Sequence, residues 1–170
     1  MLVRNETIFK WSLYGAATLV LFLLQGLVLQ RIELWGVFPF LFPVEVAILA
    51  SYEGPLPGTV FGLVMGVCCD LTVTAAIPCF YTLIFPVVGL AAAGIAGSVI
   101  SAGPVCSLAC SAAGFLVTDL FYALILWGQG QNAWAAVGYL TLRETCVGLL
   151  FSPLVFLLYS AVYRKCHVDD

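Results

Sequence analysis

The stretch GTVFGLVMGVCCDL, Gly58 to Leu71, sets glycine at positions 58, 62 and 66 and then aspartate at 70, at unbroken steps of four residues. On an α-helix a step of four turns through about 400°, so these positions form one strip that drifts slowly around a single face. The strip lets a second helix come close, and a carboxylate continues it into apolar surroundings. Whether those surroundings are lipid or a soluble core decides the fold.

Composition answers that question. Hydrophobic residues make up 63% of the 170 residues and charged ones 9%, against roughly a quarter charged in an ordinary soluble domain. Six Lys and Arg with nine Asp and Glu cannot clothe a soluble surface of this size, so lipid is the expected solvent. The net charge of -3 carries no basic run, which speaks against nucleic acid as a partner.

A helix crossing a bilayer needs about twenty mostly apolar residues. Six segments qualify, at about 11–30, 34–52, 58–77, 79–99, 104–127 and 143–163, and predict an all-α integral membrane protein, one polytopic domain over 1–170. Arg4 and Lys10 precede the first segment, and its end, LQGLVLQR, offers no small-residue cleavage site, so it reads as a retained span and not a signal peptide. Pro39, Pro43 and Glu45 interrupt the second, which either spans or re-enters; its length favours spanning. Arg164 and Lys165 follow the last segment, so both termini are expected on the cytoplasmic side. Trp35, Trp127, Trp134 and Tyr139 then fall at the outer interface, along which the 128–142 connection is expected to lie.

The glycines at 58, 62 and 66 are read as a helix-packing strip or a groove for a partner's helix. A charged aspartate near mid-membrane costs about 2.5–3.5 kcal/mol even on gentle insertion scales, so Asp70 requires a partner. By helical rise it stands about 18 Å above Gly58, and Asp119 stands about 22 Å above Pro104. Arg143, expected at the outer start of the sixth helix, reaches inward on a long stem. The expectation is therefore an intramembrane polar cluster of Asp70, Asp119, Arg143 and Glu144, with Arg31 at its rim. The alternative is that each acid bonds locally to Thr72, Thr74 or Thr118. Glu45, near mid-depth without a basic partner, is an isolated acid expected to pack as the neutral form or to face a cavity. Small residues recur in GLAAAGIAGS and at Ser107, Ser111 and Gly114, thinning one side of the fourth and fifth helices.

Six of the seven cysteines, at 68, 69, 79, 106, 110 and 146, lie in or beside apolar segments with no C-x-x-C spacing, and the lone histidine, His167, follows Cys166 at the tail. They read as small apolar side chains, and no metal or cofactor is expected. No H-E-x-x-H, phosphate-binding glycine loop or G-x-S-x-G occurs, and the CCDLT and VTDLF contexts are unlike those of intramembrane aspartyl proteases. An enzyme is not expected.

The proline-bearing FPFLFPVEVAILASYEG followed by GTVFGLVMGVCCDL resembles the rod shape-determining protein MreD family. The likeness is specific over about Phe38–Leu71; elsewhere it is one of length and hydropathy. Gly58, Gly62, Gly66 and Asp70 match the family pattern. The resemblance implies a non-enzymatic scaffold of bacterial cell elongation in the cell membrane. Such a scaffold binds an MreC-like bitopic protein and is linked indirectly to MreB filaments and peptidoglycan synthases. It also implies a fold like the substrate-binding component of energy-coupling-factor transporters. That fold supplies the rival reading, a solute-binding subunit for a vitamin or metal, with the outer polar cluster as its site and Trp127, Gln129, Asn132 and Trp134 as a lid.

Overall fold

The computed structural model describes residues 2–75, 77–98 and 103–166. His167, Asp169 and Asp170 lie outside the described residues, as do the side chains of Arg4 and Glu6. Among the described residues there are six α-helices: α1 Leu2–Leu27, α2 Phe42–Glu53, α3 Pro55–Thr72, α4 Phe80–Ser98, α5 Pro104–Gly128 and α6 Trp134–Cys166. Five of them, all but α2, are long and apolar enough to cross a membrane, the build of a multi-pass membrane protein.

Prolines account for several boundaries. Pro55 and Pro104 open α3 and α5, where the missing N–H would have no intrahelical partner in any case. Pro39 and Pro43 have a larger effect. The helix expected over 34–52 begins only at Phe42, with Pro43 in its first turn, and residues 38–41 approach it as non-helical chain. Ahead of that chain, Leu34 and Val37 exchange two backbone hydrogen bonds of 2.9 and 3.1 Å around Trp35 (φ 54°) and Gly36 (φ 79°). Two successive residues at positive φ make the tight turn, and the second position suits glycine.

α2 is short but central. Its residues from Phe42 to Ser51 are all buried, and it touches α3, α4, α5 and α6. Val46, Ala47 and Ala50 join one core cluster with α4 and α5; Val44, Ile48 and Leu49 join a second with α1 and α6. A helix that is apolar on every side belongs inside a bundle, and α2 is the peg around which the others stand.

Two polar ties fix the direction of α2 against α1. Gln25 on α1 donates to Pro39 O at 2.7 Å and accepts from Leu41 N at 3.1 Å. At the other end, Lys10 Nζ pairs with Glu53 Oε2 at 2.5 Å, the one ion pair among the described residues. The chain thus runs back alongside α1, and the bundle acquires a Lys10 end and an opposite, far end. Trp35, Trp127, Trp134 and Tyr139 are all exposed at the far end.

α6 begins at Trp134 and not near 143, so most of the 128–142 connection is helix; the turn proper is confined to Gln129–Ala133. Arg143 consequently lies more than two turns inside α6 instead of opening it.

Candidate functional site

The glycine strip is the seam between α3 and α4. A Cβ placed on Gly62 would stand 2.5 Å from Phe85 O and 3.0 Å from Pro86 N; on Gly66, 2.5 Å from Tyr81 O and 2.6 Å from Thr82 Cα. A Cβ on Gly58 would stand 2.5 Å from Ala50 Cβ of α2, and from the other side a Cβ on Gly89 of α4 would stand 2.6 Å from Gly58 O. Backbone therefore rests on backbone along the whole strip, which only glycine permits. The surface that a partner's helix would need is already filled by α4.

Asp70 closes the seam. Its Oδ1 accepts from Tyr81 N at 3.1 Å, and its Oδ2 accepts from Thr82 N at 2.9 Å and from Thr82 Oγ1 at 2.6 Å. The first N–H groups of a helix have no intrahelical partner and carry the positive end of its dipole. Asp70 supplies that partner to α4 from a neighbouring helix, and this answers the need raised by a carboxylate in apolar surroundings.

The expected cluster of Asp70, Asp119, Arg143 and Glu144 does not assemble around Arg143. The arginine lies over the Tyr139 ring, with Cζ 4.3 Å from the centroid, and Nη2 donates to the Tyr139 hydroxyl. Its Nη1 faces Gly36, 3.3 Å from where a Cβ would stand, so it buttresses the Trp35–Gly36 turn. Arg31 is exposed at the end of the short Leu29–Arg31 turn.

Asp119 and Glu144 do share a site. Both line a far-end cavity of about 560 Å³ between the 36–40 stretch, the α3–α4 connection, the start of α4, α5 and α6. Phe40, Phe80, Tyr81, Phe115 and Tyr122 wall it. Four of these rings form a continuous run: Phe40 to Tyr81 at 5.6 Å between centroids, Tyr81 to Phe80 at 5.0 Å, and Phe80 to Tyr122 at 6.0 Å. No Lys or Arg lines the cavity. Asp119 keeps Oδ2 buried with no hydrogen-bond partner. Trp127, Gln129, Asn132 and Trp134, expected as a lid, are not among the lining residues.

Glu45 is completely buried within the bundle. Its Oε2 accepts from the Tyr159 hydroxyl at 3.3 Å, Thr18 Oγ1 lies 3.0 Å from that same hydroxyl, and Oε1 has no partner. Nearer the Lys10 end, Tyr14 donates to Glu53 Oε1 at 2.9 Å and packs edge-on to Tyr159. The polar groups thus string from Lys10 inward to Glu45, joining α1, α2 and α6.

Gln25, Tyr159 and Thr82 are functional partners that were not among the expected site residues. Gln25 had a signal, since an amide inside an apolar helix demands partners. Tyr159 and Thr82 had none, because a tyrosine or threonine in a membrane helix is unremarkable until its neighbour is known.

Among the described residues no group of three His, Cys, Asp or Glu is placed to hold a metal ion, and the cysteines are free. Cys106 and Cys110 approach to 3.8 Å one turn apart, packed against Ala92 O. No family model, curated protein or solved structure matches the chain.

Proposed function

We propose that the chain is a non-enzymatic scaffold of the MreD kind in the bacterial cell membrane. It binds an MreC-like bitopic partner and, through it, serves MreB filaments and peptidoglycan synthases during elongation. The observation that carries this reading is the use made of the MreD-like segment: Gly58, Gly62 and Gly66 admit the α4 backbone, and both Asp70 oxygens hold the start of α4. The residues of the resemblance serve assembly, as a scaffold requires.

In this reading α2 and the chain before it make a sixth crossing, with both termini cytoplasmic. The ties at Glu53 and Gln25 hold that stretch level with residues 10 and 25 of α1, about 22 Å apart along a helix. Six crossings are what the resemblance implies, a fold like the substrate-binding component of energy-coupling-factor transporters.

Mild crosslinking in the native membrane, followed by purification of this chain, tests the proposal. Recovery of a bitopic protein with a periplasmic coiled coil is expected. Recovery of ATPase subunits in its place would overturn the scaffold and favour the second reading, a solute-binding subunit, for which the aromatic-walled cavity at the far end speaks.

A further inference from the structure

Three features of the far-end cavity point the same way. Its volume of about 560 Å³ falls within the range of small-molecule sites, roughly 300–1,000 Å³. One wall is the unbroken run of rings from Phe40 through Tyr81 and Phe80 to Tyr122. Helices α5 and α6 bring two carboxyl groups, Asp119 and Glu144, to the lining of the same cavity.

The acids have no cation of their own. Arg143, the nearest in sequence, is engaged over Tyr139 and against the Gly36 turn; Lys10 is paired with Glu53 at the other end. Asp70 stands behind Tyr81 with both oxygens taken. Thr118 and Tyr122 bring hydroxyls to the lining, but Thr118 Oγ1 already donates to Gly114 O. Two carboxyl groups in a half-dry cavity are costly unless something positive joins them. Aromatic faces add attraction for a cation, about 0.5–2 kcal/mol each according to desolvation.

We propose that this cavity binds an organic cation, an ammonium compound with an apolar or aromatic body, whose charged nitrogen sits between Asp119 and Glu144 and whose body lies on the Phe40–Tyr81–Phe80–Tyr122 wall. A bare divalent metal ion fits poorly, since it would meet only two carboxyl groups and would make no use of the rings. The site stands apart from the scaffold reading: it holds whether the ligand is captured for transport or steadies a scaffold, and the crosslinking experiment can fail without touching it.

The test uses the full chain in nanodiscs of zwitterionic lipid, with empty nanodiscs as the blank for partitioning. Phenethylammonium and benzyltrimethylammonium are titrated calorimetrically beside 2-phenylethanol, phenylacetate, Mg²⁺ and Ca²⁺. Saturable binding of at least one ammonium compound at one per chain is expected, about tenfold or more tighter than the alcohol, the margin given by one charge-assisted contact. Asp119→Asn and Glu144→Gln are each expected to weaken it about tenfold by the same reasoning, and Tyr122→Leu to weaken the quaternary compound about threefold. Each variant is first matched to wild type in elution volume and melting temperature. If one carboxyl variant does not fold, the other carries the comparison. Equal binding of alcohol and amine would overturn the proposal, as would wild-type affinity in a folded carboxyl variant. It would be overturned equally by no ammonium binding above the blank, or by binding of divalent ions alone.

Discussion

Two carboxyl groups stand toward the same end of the bundle under opposite conditions. Asp70 receives three donors from the start of α4. Asp119, two helices further on in α5, borders a cavity and keeps one oxygen without any donor. The contrast extends to their surroundings, since the seam leading to Asp70 is backbone against backbone, whereas the far-end mouth is walled by side chains around open space. An intramembrane acid is thus not by itself a mark of function; what separates the two is whether a helix start lies within reach to take up the charge. The seam should be intolerant of change, and the mouth should tolerate it structurally.

The sharpest way to break that contrast is to thicken the seam. Gly66→Val puts three carbon atoms where Tyr81 O, Thr82 Cα and Thr82 N already stand within 2.8 Å of the first of them, and α4 must move away as a unit. Destabilisation of about 3 kcal/mol or more is expected, read as near-complete loss of monodisperse protein in detergent. Gly94→Ala is the control, because nothing lies within 4 Å of its added methyl. Wild-type yield from Gly66→Val would mean that the seam is not close-packed.

Removing the acid is next in size. Asp70→Ala leaves Tyr81 N and Thr82 N without acceptors at the start of a helix and is expected to cost about 2–3 kcal/mol. Asp70→Asn keeps one acceptor oxygen and is expected to lose about half of that. Thermal unfolding in detergent should rank wild type above Asn above Ala; indistinguishable melting of Ala and wild type would place Asp70 with Asp119 as an acid free for other work.

At the Lys10 end, Glu53→Gln removes the charge paired with Lys10 while leaving an acceptor for Tyr14. The pair is only partly buried, with 21% of the Lys10 side chain and 7% of the Glu53 side chain accessible, so a loss of about 1 kcal/mol is expected. A double-mutant cycle with Lys10→Met should return most of that as coupling. No coupling would mean that Gln25, not the ion pair, holds α2 in its course along α1.

What was legible in the sequence follows the same division. The long apolar runs located α4 and α5 closely, because hydropathy and proline position act locally; α1 begins at Leu2, nine residues ahead of the expected start, and α3 ends at Thr72, five residues short of the expected 77. The step-of-four glycines showed a close-packed face, because only backbone contact requires glycine in that register. Hydropathy could not separate a spanning α2 from a short peg with an extended lead-in, since both bury the same residues; the difference lies in Pro39, Pro43 and the ties from Gln25. It also placed the start of α6 late, because Asn132 to Thr141 mixes polar and apolar residues that an exposed helical turn accommodates. The partner of Asp70 was missed for a different reason: Thr82 is ordinary in sequence and becomes an acid's partner only when the α3–α4 connection folds α4 back.

Arg143 offers the smallest and most discriminating measurement. In the four-charge cluster that the sequence predicts it is the hub, so its removal would strand Asp70, Asp119 and Glu144 together and lower yield severely. In the structure it engages Tyr139 one turn before it and the Gly36 turn beside it, and no carboxylate. Arg143→Ala then removes one cation–π contact and some packing at a partly exposed position, and a change within about 0.5–1 kcal/mol is expected. Measured beside Asp70→Ala, it tells the two arrangements apart. A small effect at 143 with a large one at 70 belongs to an acid held by a helix start, whereas comparable losses at both belong to an ion-pair cluster.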